Sequence, residues 1–472
     1  MRKPLLLTTL LLALCIAPYA AHAAQNDRIR TAEPFTATIL TEGLESPWEI
    51  LWGPDGKLWV TERMGKRIVR IDPQSGAKKT AYTAEGAHAD GTHEGILGLA
   101  IDGSHVYTCY TYMKDADGKP SRFKKVIRLT YDAQSETLRE PVEVIENVPA
   151  GDDHNGGRLV VGPDEKLYLS LGELGHNQGA NMTKPNEAQR LPTQAEVDAR
   201  DWTAYVGKVL RMNKDGSIPG DNPTLNGVRS HVFTYGHRNP QGLAFAGEHL
   251  FSCEHGPSTD DEVNLLTSGG NYGWPHVAGF RDDQAYHFAD WSKASKEAIA
   301  AYDPNNPDTF PAEGVVVQRE TDWSADNFVE PVKTLHTVPN GYNFKDGRFS
   351  ASVAYLNWPT VAPSSIHYYP KDGPIVSWRN SLILTTLKTG AVLRLKLNED
   401  GKTVQGDIAT YFHTPNRYRA LCFSPDRGTV YMVTDSFGNV LDYDGKPIQK
   451  MQNPGAIIVL KYAPDKFDEA YK

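Results

Sequence analysis

The stretch WEILWGPDGKLWVTER, residues 48–63, decides the fold. Apolar side chains alternate with other residues on both sides of a Gly-Pro-Asp-Gly turn, and this pattern is typical of a β-hairpin. Related stretches are GRLVVGPDEKLYLSLGE at 157–173 and RALCFSPDRGTVYMVTD at 419–435. Looser versions are GILGLAIDGSHVYTCYT at 95–111, GLAFAGEHLFSCEH at 242–255, and a sixth with a longer connection at 364–388. The hairpin is therefore a repeated unit.

Six such hairpins, separated by insertions of variable length, predict an all-β protein, a six-bladed β-propeller of four-stranded antiparallel sheets. A sandwich of two sheets stays an alternative, because the spacing is less regular than in the short-period propeller families. Helical periodicity is found at 193–201 and 292–301. We expect one propeller domain over residues 24–472.

Residues 1–23 have the order of a secretory signal peptide: a basic start, an apolar run at 5–17 and small residues before the cleavage site. The apolar run is shorter than the roughly 20 residues that span a bilayer, so we expect no membrane anchor. The sequence thus predicts a periplasmic or secreted protein.

The formal net charge is −9 and no block rich in Lys or Arg occurs, which argues against nucleic acid as a partner. Three cysteines follow the leader, Cys109, Cys253 and Cys422, and each lies in a strand-like run. We expect them to be small buried hydrophobic residues, without a disulfide framework or a metal.

The ends of the hairpins carry polar and aromatic residues. An antiparallel hairpin returns the chain to the edge where it began, so residues before its first strand and after its second lie side by side. Those before the first strands are His93, Glu94, Asp153, His154, Arg238, Asn239, Trp358, Pro359, Thr360, Arg417, Tyr418 and Arg419. Those after the second strands are Glu62, Arg63, Glu173, Glu254, His255, Gly256, Pro257, Lys388 and Asp435. Each alone is compatible with a surface role, but together they predict a site at one end of the channel.

Several of these strings resemble the soluble quinoprotein glucose dehydrogenases and their aldose dehydrogenase relatives, from about residue 40 to residue 462. The matching strings are LWGPDGKLWVTER, DHNGGRLVVGPD, YVGKVLRMNKDGSIPGDNP, GHRNPQGLAF, GPSTDDEVNLLTSGGNYGWP, WPTVAPSS, TLKTG and NRYR. The resemblance implies a six-bladed propeller with pyrroloquinoline quinone (PQQ) lying flat over the channel mouth, together with calcium.

PQQ carries three carboxylates, so its site needs fixed cations that form paired hydrogen bonds. The resemblance implies that Lys388, Arg417 and Arg419 supply this charge. It assigns further cofactor contacts to Asn239, Thr360, Arg238 and His255. Trp358 would form an aromatic wall near the flat ligand, and the resemblance also implies that it contacts the substrate.

By the same resemblance, His154 is the general base that takes the proton of the anomeric hydroxyl while hydride passes to the quinone C5. An imidazole suits this role because its ordinary pKa lies near neutrality. Arg238 would stabilise negative charge on the C5 oxygen, and Glu173 would be the partner of His154. The implied substrate contacts are Asp153, His93, Gln178, Tyr355 and Trp358.

The resemblance also implies two calcium sites, since this hard cation prefers oxygen ligands. The carbonyls of Gly256 and Pro257 would hold one calcium beside PQQ. A second, structural calcium near a dimer contact would be held by Glu262, Tyr272, Ala278, Asp282 and Glu320. A solvated acidic turn at 260–262 is the alternative for that segment alone.

Four matched positions depart from the glucose dehydrogenase pattern. Glu173 replaces an Asp, His93 and His255 each replace a Gln, and Gly179 replaces a larger apolar residue. All four lie at or near the expected substrate, whereas the cations for PQQ are retained. We therefore expect conserved cofactor chemistry and an altered sugar preference.

The sequence predicts a PQQ-dependent dehydrogenase that oxidises an aldose to its lactone. No haem-attachment CxxCH motif occurs, so the electrons would pass to an external acceptor. The alternatives are a calcium-dependent lactonase-type hydrolase and a non-catalytic carbohydrate-binding propeller, because a fold does not fix a function. The sugar, the acceptor and the oligomeric state, with a homodimer among the candidates, stay open.

Overall fold

The computed structural model describes residues 34–91, 93–116, 118–302, 313–344 and 351–466. Within these ranges the chain forms six four-stranded antiparallel sheets; five are each built from one continuous segment, and the sixth combines the first strand with the last three strands of the ring. This confirms the six-bladed propeller and excludes the two-sheet sandwich. The predicted signal peptide, residues 1–23, lies outside the described residues.

The first three blades follow one another along the chain. Blade 1 contains the strands Pro47–Trp52, Leu58–Glu62, Arg67–Ile71 and Lys78–Thr83. Blade 2 contains Ile96–Asp102, His105–Ala116, Lys119–Asp132 and Thr137–Pro149. Blade 3 contains Leu159–Val161, Leu167–Leu171, Lys208–Met212 and Val232–Tyr235.

The last three blades complete the ring. Blade 4 contains Pro240–Ala246, His249–Glu254, Asp261–Leu266 and Lys333–Leu335. Blade 5 contains Pro363–Tyr369, Ser381–Thr386, Val392–Leu397 and Val404–Tyr411. Blade 6 contains Tyr418–Phe423, Thr429–Thr434, Ile457–Tyr462 and, as its outer strand, Phe35–Thr41. The strand Phe35–Thr41 runs antiparallel to Ile457–Tyr462, with Phe35 opposite Tyr462, and so closes the ring.

Short elements lie in the connections between strands. Three two-stranded ribbons pair Thr224–Leu225 with Val228–Arg229, Phe288–Asp290 with Val316–Gln318, and Val440–Leu441 with Pro447–Ile448. The α-helices are Gln194–Ala199 and Lys296–Ala301, which confirms helix in both periodic segments. The 3₁₀ helices are Gly179–Asn181, Thr203–Tyr205, Trp291–Lys293, Glu320–Asp322, Ala351–Asn357, Val376–Trp378 and Pro464–Lys466.

The hydrophobic core is divided among the interfaces between blades. Each of the six interfaces between neighbouring blades holds its own cluster of buried apolar side chains, as expected when a blade buries its faces against its neighbours. Cys109, Cys253 and Cys422 are free and buried in three of these clusters. This confirms their predicted packing role.

The first strands of neighbouring blades contact one another around the ring and therefore line the central channel. In five blades the pairing of the first two strands breaks register close to the start of the first strand. In blade 4, for example, the break lies between Pro240 and Gly242. Such bulges bend a strand and redirect its side chains. They lie at the end of the channel where the predicted site residues begin, which we call the mouth.

Candidate active site

His154 and Glu173 form a buried pair at the mouth of blade 3. The Nδ1 atom of His154 lies 2.9 Å from Oε2 and 3.0 Å from Oε1 of Glu173. Glu173 is fully buried and His154 is 8% exposed. A carboxylate at Nδ1 favours the tautomer with its proton on that nitrogen. The Nε2 atom of His154 is then left with a lone pair that can accept a proton.

Gln178 connects this pair to Arg238. Its Nε2 donates to Oε1 of Glu173 at 2.7 Å. Its Oε1 accepts from Nε and Nη2 of Arg238 at 3.1 and 2.5 Å. The backbone of Arg238 is held as well, because its N–H donates to Glu254 at 2.9 Å and its carbonyl accepts from the N–H of Glu173 at 2.9 Å. The predicted base, its carboxylate and the predicted guanidinium thus form one hydrogen-bonded chain.

Asp153 lies between two imidazoles. Its Oδ1 is 3.3 Å from Nε2 of His93 and accepts the backbone N–H of His154 at 2.8 Å. Burial alone would raise the pKa of Asp153, but His154 and His93 outweigh it and hold that pKa at about 2. Burial lowers the pKa of His93. At neutral pH we therefore expect an ionised Asp153 beside a neutral His93.

Lys388 reaches the segment that precedes blade 5. Its Nζ donates to Oγ1 of Thr360 at 2.5 Å, to the carbonyl of Tyr355 at 3.2 Å and to the carbonyl of Trp358. Burial lowers the pKa of Lys388 to about 7, although Asp261 acts in the opposite direction. The Tyr355 hydroxyl accepts from the Asn439 side chain at 3.2 Å. Tyr355 therefore links Lys388 to the blade 6 side of the mouth.

Arg417 and Arg419 lie on the blade 6 side. Nη2 of Arg419 donates to Oδ2 of Asp435 at 2.8 Å, and both side chains are buried. Nη1 of Arg417 donates to the carbonyl of Asn439 at 3.4 Å, and its buried Nε has no hydrogen-bond partner among the described residues. Burial lowers the pKa of Arg417, because its charge is removed from water.

Asn239 and His255 lie between the base and the cations. Oδ1 of Asn239 accepts from the N–H of Gly156 at 3.3 Å and from Nε2 of Gln241 at 2.9 Å. Nε2 of His255 donates to the carbonyl of Pro363, 3.1 Å away. Burial, reinforced by Arg238, lowers the pKa of His255 well below its ordinary range.

A cleft of about 320 Å³ opens beside His154 and Arg238. Trp358 lines it, and the carbonyl of the same residue contacts Lys388, so Lys388 lies next to the cleft. A Cβ on Gly179 would meet no atom within 4 Å, which leaves open space where the resembling pattern has a larger side chain. The remaining lining residues include an aromatic group that the sequence analysis missed: Trp274, Tyr286, Trp291 and Tyr302. These belong to the long insertion of blade 4, whose position no strand periodicity indicates.

The segment Gly256–Pro257 is fixed by Asp261. Oδ1 of Asp261 accepts the N–H of Gly256 at 2.9 Å, and its Oδ2 accepts the N–H groups of Val361 and Ala362 at 2.6 and 2.8 Å. No hydrogen bond to the carbonyl oxygens of Gly256 or Pro257 is found in the described part of the chain. These two oxygens are therefore available to a ligand, and Pro257 lines the cleft.

A second acidic group surrounds the turn at 278–283. Oε1 of Glu262 accepts the N–H of Gly279 at 2.7 Å, and Oε1 of Glu320 accepts the N–H of Ala278 at 2.9 Å. Burial raises the pKa of Glu320 to about 8, with a smaller contribution from the exposed Asp282. Burial also raises the pKa of Glu262 well above its ordinary range. Among the described residues, no three His, Cys, Asp or Glu side chains are grouped closely enough to hold a metal ion by themselves.

The structure thus brings together, at one mouth, the predicted base, sugar-contacting and cation residues from blades 2 to 6. The residues predicted for the second calcium form a separate group. Tyr272 is buried there, and its hydroxyl donates to the carbonyl of Leu265 at 2.6 Å.

Comparison with known proteins agrees with this arrangement. The family model described as Glucose / Sorbosone dehydrogenase matches residues 44–334 and 331–442. The chain belongs to this family. Quinoprotein glucose dehydrogenase B of Acinetobacter calcoaceticus is 42% identical over 443 residues, which cover 91% of this chain and 92% of that protein.

Less similar proteins match over nearly the same part of the chain. Aldose sugar dehydrogenase YliI of Escherichia coli is 29% identical over 91% of this chain and 96% of that protein. The PQQ-bound aldose sugar dehydrogenase of Streptomyces coelicolor superposes with a TM-score of 0.60 at 24% identity, covering 91% of this chain and all of that one. This last likeness supports the fold. In the described residues no helix has the length and apolar character needed to cross a membrane.

Proposed function

We propose that this chain oxidises the anomeric carbon of an aldose, such as glucose, to the lactone, with bound PQQ and calcium. The electrons would pass to an external acceptor. The observation that carries this proposal is the hydrogen-bonded chain from His154 through Glu173 and Gln178 to Arg238, at a cleft whose residue Trp358 contacts Lys388. A protein exported by the predicted leader would perform this reaction in the periplasm or outside the cell.

The cation group fits a polycarboxylate. Among the described residues, no carboxylate oxygen lies within 4.0 Å of the charged nitrogens of Lys388 or Arg417. Asp261 and Asp435 act on these two groups only from a distance. Cations that are shielded from water and not directly paired are unfavourable, and a ligand with several carboxylates relieves that cost. Asn239 and Thr360 would add polar contacts to PQQ, and Trp358 would lie against the flat ring or the sugar.

When bound, PQQ supplies the electrophilic carbon that accepts hydride from the sugar. Nε2 of His154 would accept the proton of the anomeric hydroxyl, and the sugar would leave as the lactone. Glu173 would stabilise the imidazolium through its bonds to Nδ1. The guanidinium of Arg238 would stabilise negative charge that develops on the cofactor oxygen, while Gln178 holds that guanidinium in place.

Calcium beside PQQ is supported by the available carbonyls of Gly256 and Pro257, since calcium binds backbone oxygens. Two carbonyls are a partial set, so cofactor oxygens or water would have to complete it. For the structural calcium, the support is the buried Glu262 and Glu320, which no described cation neutralises. Asp282 and the carbonyls of Tyr272 and Ala278 would contribute further oxygens.

The test is to add PQQ and calcium to the apo-protein and to follow dye reduction with a panel of monosaccharides and disaccharides. We expect stoichiometric PQQ binding and sugar-dependent reduction. His154→Ala is the matched variant: it should bind PQQ as the wild type does and lose most turnover, by about 100-fold or more. PQQ binding without sugar-dependent reduction would refute the dehydrogenase.

The two alternatives make different predictions in the same experiment. A lactonase-type hydrolase would open lactones without PQQ, and a carbohydrate-binding propeller would bind sugar without any turnover. Neither needs buried cations next to the base, which is why the dehydrogenase is favoured. Size-exclusion chromatography with light scattering would test the homodimer.

A further inference from the structure

Arg63 is a buried cation at the mouth, one of the hairpin-end residues, to which no individual binding or catalytic role was assigned from the sequence. It directly follows the second strand of blade 1 and is 1% exposed. Its Nη1 donates to the carbonyls of Gly91 and Glu94 at 2.8 and 2.9 Å. Its guanidinium carbon lies 5.5 Å from the ring centre of Phe437, which follows the second strand of blade 6. Arg63 therefore lies where blades 1, 2 and 6 meet.

Counter-ions are scarce at this position. In the part of the chain that the structure describes, no carboxylate oxygen lies within 4.0 Å of the charged nitrogens of Arg63. Neighbouring carboxylates are already engaged: Glu62 pairs with Arg67, and Glu94 pairs with Arg122.

Asp435 is the acidic group that Arg63 shares with two other guanidinium groups. It is bonded to Arg419, while Arg417 and Arg63 act on it from further away and, with Arg419, lower its pKa against the effect of burial. Burial lowers the pKa of Arg63 itself to about 10; Asp435 and Glu94 oppose this effect and Arg419 adds to it. Because Glu94 is already paired with Arg122 and Asp435 is shared by three guanidinium groups, an excess of positive charge remains in a region with little water.

A buried positive excess of this kind is unfavourable unless an anion approaches it. At an effective dielectric constant of about 20, a unit charge several ångströms away still changes binding of an anion by about tenfold or more. Arg63 is almost completely buried and cannot contact a ligand at the mouth directly. Its effect on ligand binding would therefore be a long-range electrostatic attraction.

We propose that Arg63 is a further cation of the anion site at the mouth, which adds its charge to that of Arg419 and Arg417 and strengthens binding of the cofactor's carboxylates without touching them. This inference rests on the proposed function, in which the anionic ligand is PQQ. It assigns a role to a residue of blade 1, from which the resemblance draws no cofactor, substrate or catalytic residue.

The experiment measures binding of two probes, PQQ and its trimethyl ester, to apo-protein in the presence of calcium by equilibrium dialysis. Arg63→Gln should weaken PQQ binding about tenfold or more and leave binding of the uncharged ester within about threefold of wild type. Arg63→Lys keeps the charge and should retain PQQ binding within about threefold of wild type. Arg70→Gln is the matched control, because Arg70 is also buried in blade 1 but is paired with Asp55. It should bind both probes as the wild type does.

The outcomes separate the two proposals. If wild type does not bind PQQ, the proposed function fails. If wild type binds PQQ and Arg63→Gln binds it equally well, or loses acid and ester to the same extent, Arg63 has a structural role and the inference is overturned. If Arg63→Gln does not fold, Arg63→Lys decides alone, since a tenfold loss of PQQ binding in that variant contradicts a role based on charge.

Discussion

At the scale of single residues, the longer side chain of Glu173 changes how the base is held. Both carboxylate oxygens of Glu173 lie within hydrogen-bonding distance of Nδ1 of His154. One of them also accepts a hydrogen bond from Gln178. The extra methylene is thus accommodated without loss of contact with the imidazole. The contact also fixes the imidazole, and a second tie comes from the backbone bond of His154 to Asp153.

Replacement of Glu173 by Gln tests this role. The amide cannot stabilise an imidazolium, so kcat should fall by about 100-fold or more while PQQ binding stays unchanged. Steady-state kinetics with a saturating dye would measure this. Glu165→Gln is the control, because Glu165 is an exposed residue of the same blade that pairs with Lys214. A Glu173→Gln enzyme with near-normal kcat would remove the carboxylate from the mechanism.

Lys388 gives the cofactor site a pH dependence. Its pKa of about 7 in the free protein should rise when a carboxylate binds, because the ligand stabilises the ammonium form. PQQ affinity should therefore be highest below pH 7, where Lys388 is already protonated in the free protein. It should fall as pH rises from about 7 to the higher pKa that Lys388 has in the complex, and become constant above that value. Dialysis at pH 6 to 9 would measure this, and Lys388→Met should bind more weakly with a flat profile between those limits. An equal pH dependence in the variant would contradict the assignment.

At the scale of elements, the alternating hairpins allowed the blades to be predicted, because apolar alternation reports which face of a strand is buried. The bulges could not be predicted in the same way. The break after Pro240 adds a residue without disturbing the apolar pattern of GLAFAG.

The aromatic wall of the cleft was not predicted for a related reason. Trp274 and Trp291 lie in an insertion whose position is determined by tertiary packing and not by strand periodicity. The convergence of His154, Lys388 and Arg417 was predictable from hairpin geometry, as was the proximity of Arg419 and Asp435 at the two ends of one hairpin, but the link that Gln178 forms between Glu173 and Arg238 was not.

The insertion of blade 4 also holds the proposed structural calcium. Without a metal, the raised pKa of Glu320 means that its carboxyl keeps a proton near neutral pH, and stability should fall as pH rises from the ordinary carboxyl range to about 8, because only the unfolded chain is ionised there. Removal of calcium by a chelator at pH 8 should lower Tm by about 5 °C or more. Glu320→Gln should show a smaller calcium effect on Tm, whereas Asp322→Asn, exposed in the same 3₁₀ helix, should match wild type. Identical calcium effects in all three proteins would exclude this site.

At the scale of the whole molecule, Arg158 holds four blades together inside the channel. It belongs to blade 3, pairs with Glu49 of blade 1 and donates to the carbonyls of Gln241 in blade 4 and Ser364 in blade 5, at 2.9 and 2.8 Å. Its guanidinium carbon lies 4.1 Å from the ring centre of Trp48. The side chain of Gln241 also donates to Asn239, so the contacts made by Arg158 extend to a residue of the mouth.

Loss of Arg158 should therefore weaken the entire ring. Arg158→Leu leaves the buried Glu49 without its partner, and the free energy of unfolding should fall by about 3–5 kcal/mol. Chemical denaturation would measure this. The double variant Glu49→Leu/Arg158→Leu should recover part of the loss, because the uncompensated charge is gone. Equal stability of Arg158→Leu and wild type would show that the pair is not needed.

The pairing of Phe35–Thr41 with Ile457–Tyr462 has a consequence for biosynthesis. Translation proceeds from blade 1 to blade 6, and the strand Ile457–Tyr462, the partner of Phe35–Thr41, is made after blades 1 to 5. Until then a nascent chain carries five blades in a ring that is not yet closed. Arg63 in blade 1 and Arg417 in blade 6 come together when the ring closes. Capture of the ligand at the mouth would then have to wait until blade 6 has been made and has paired with the first strand.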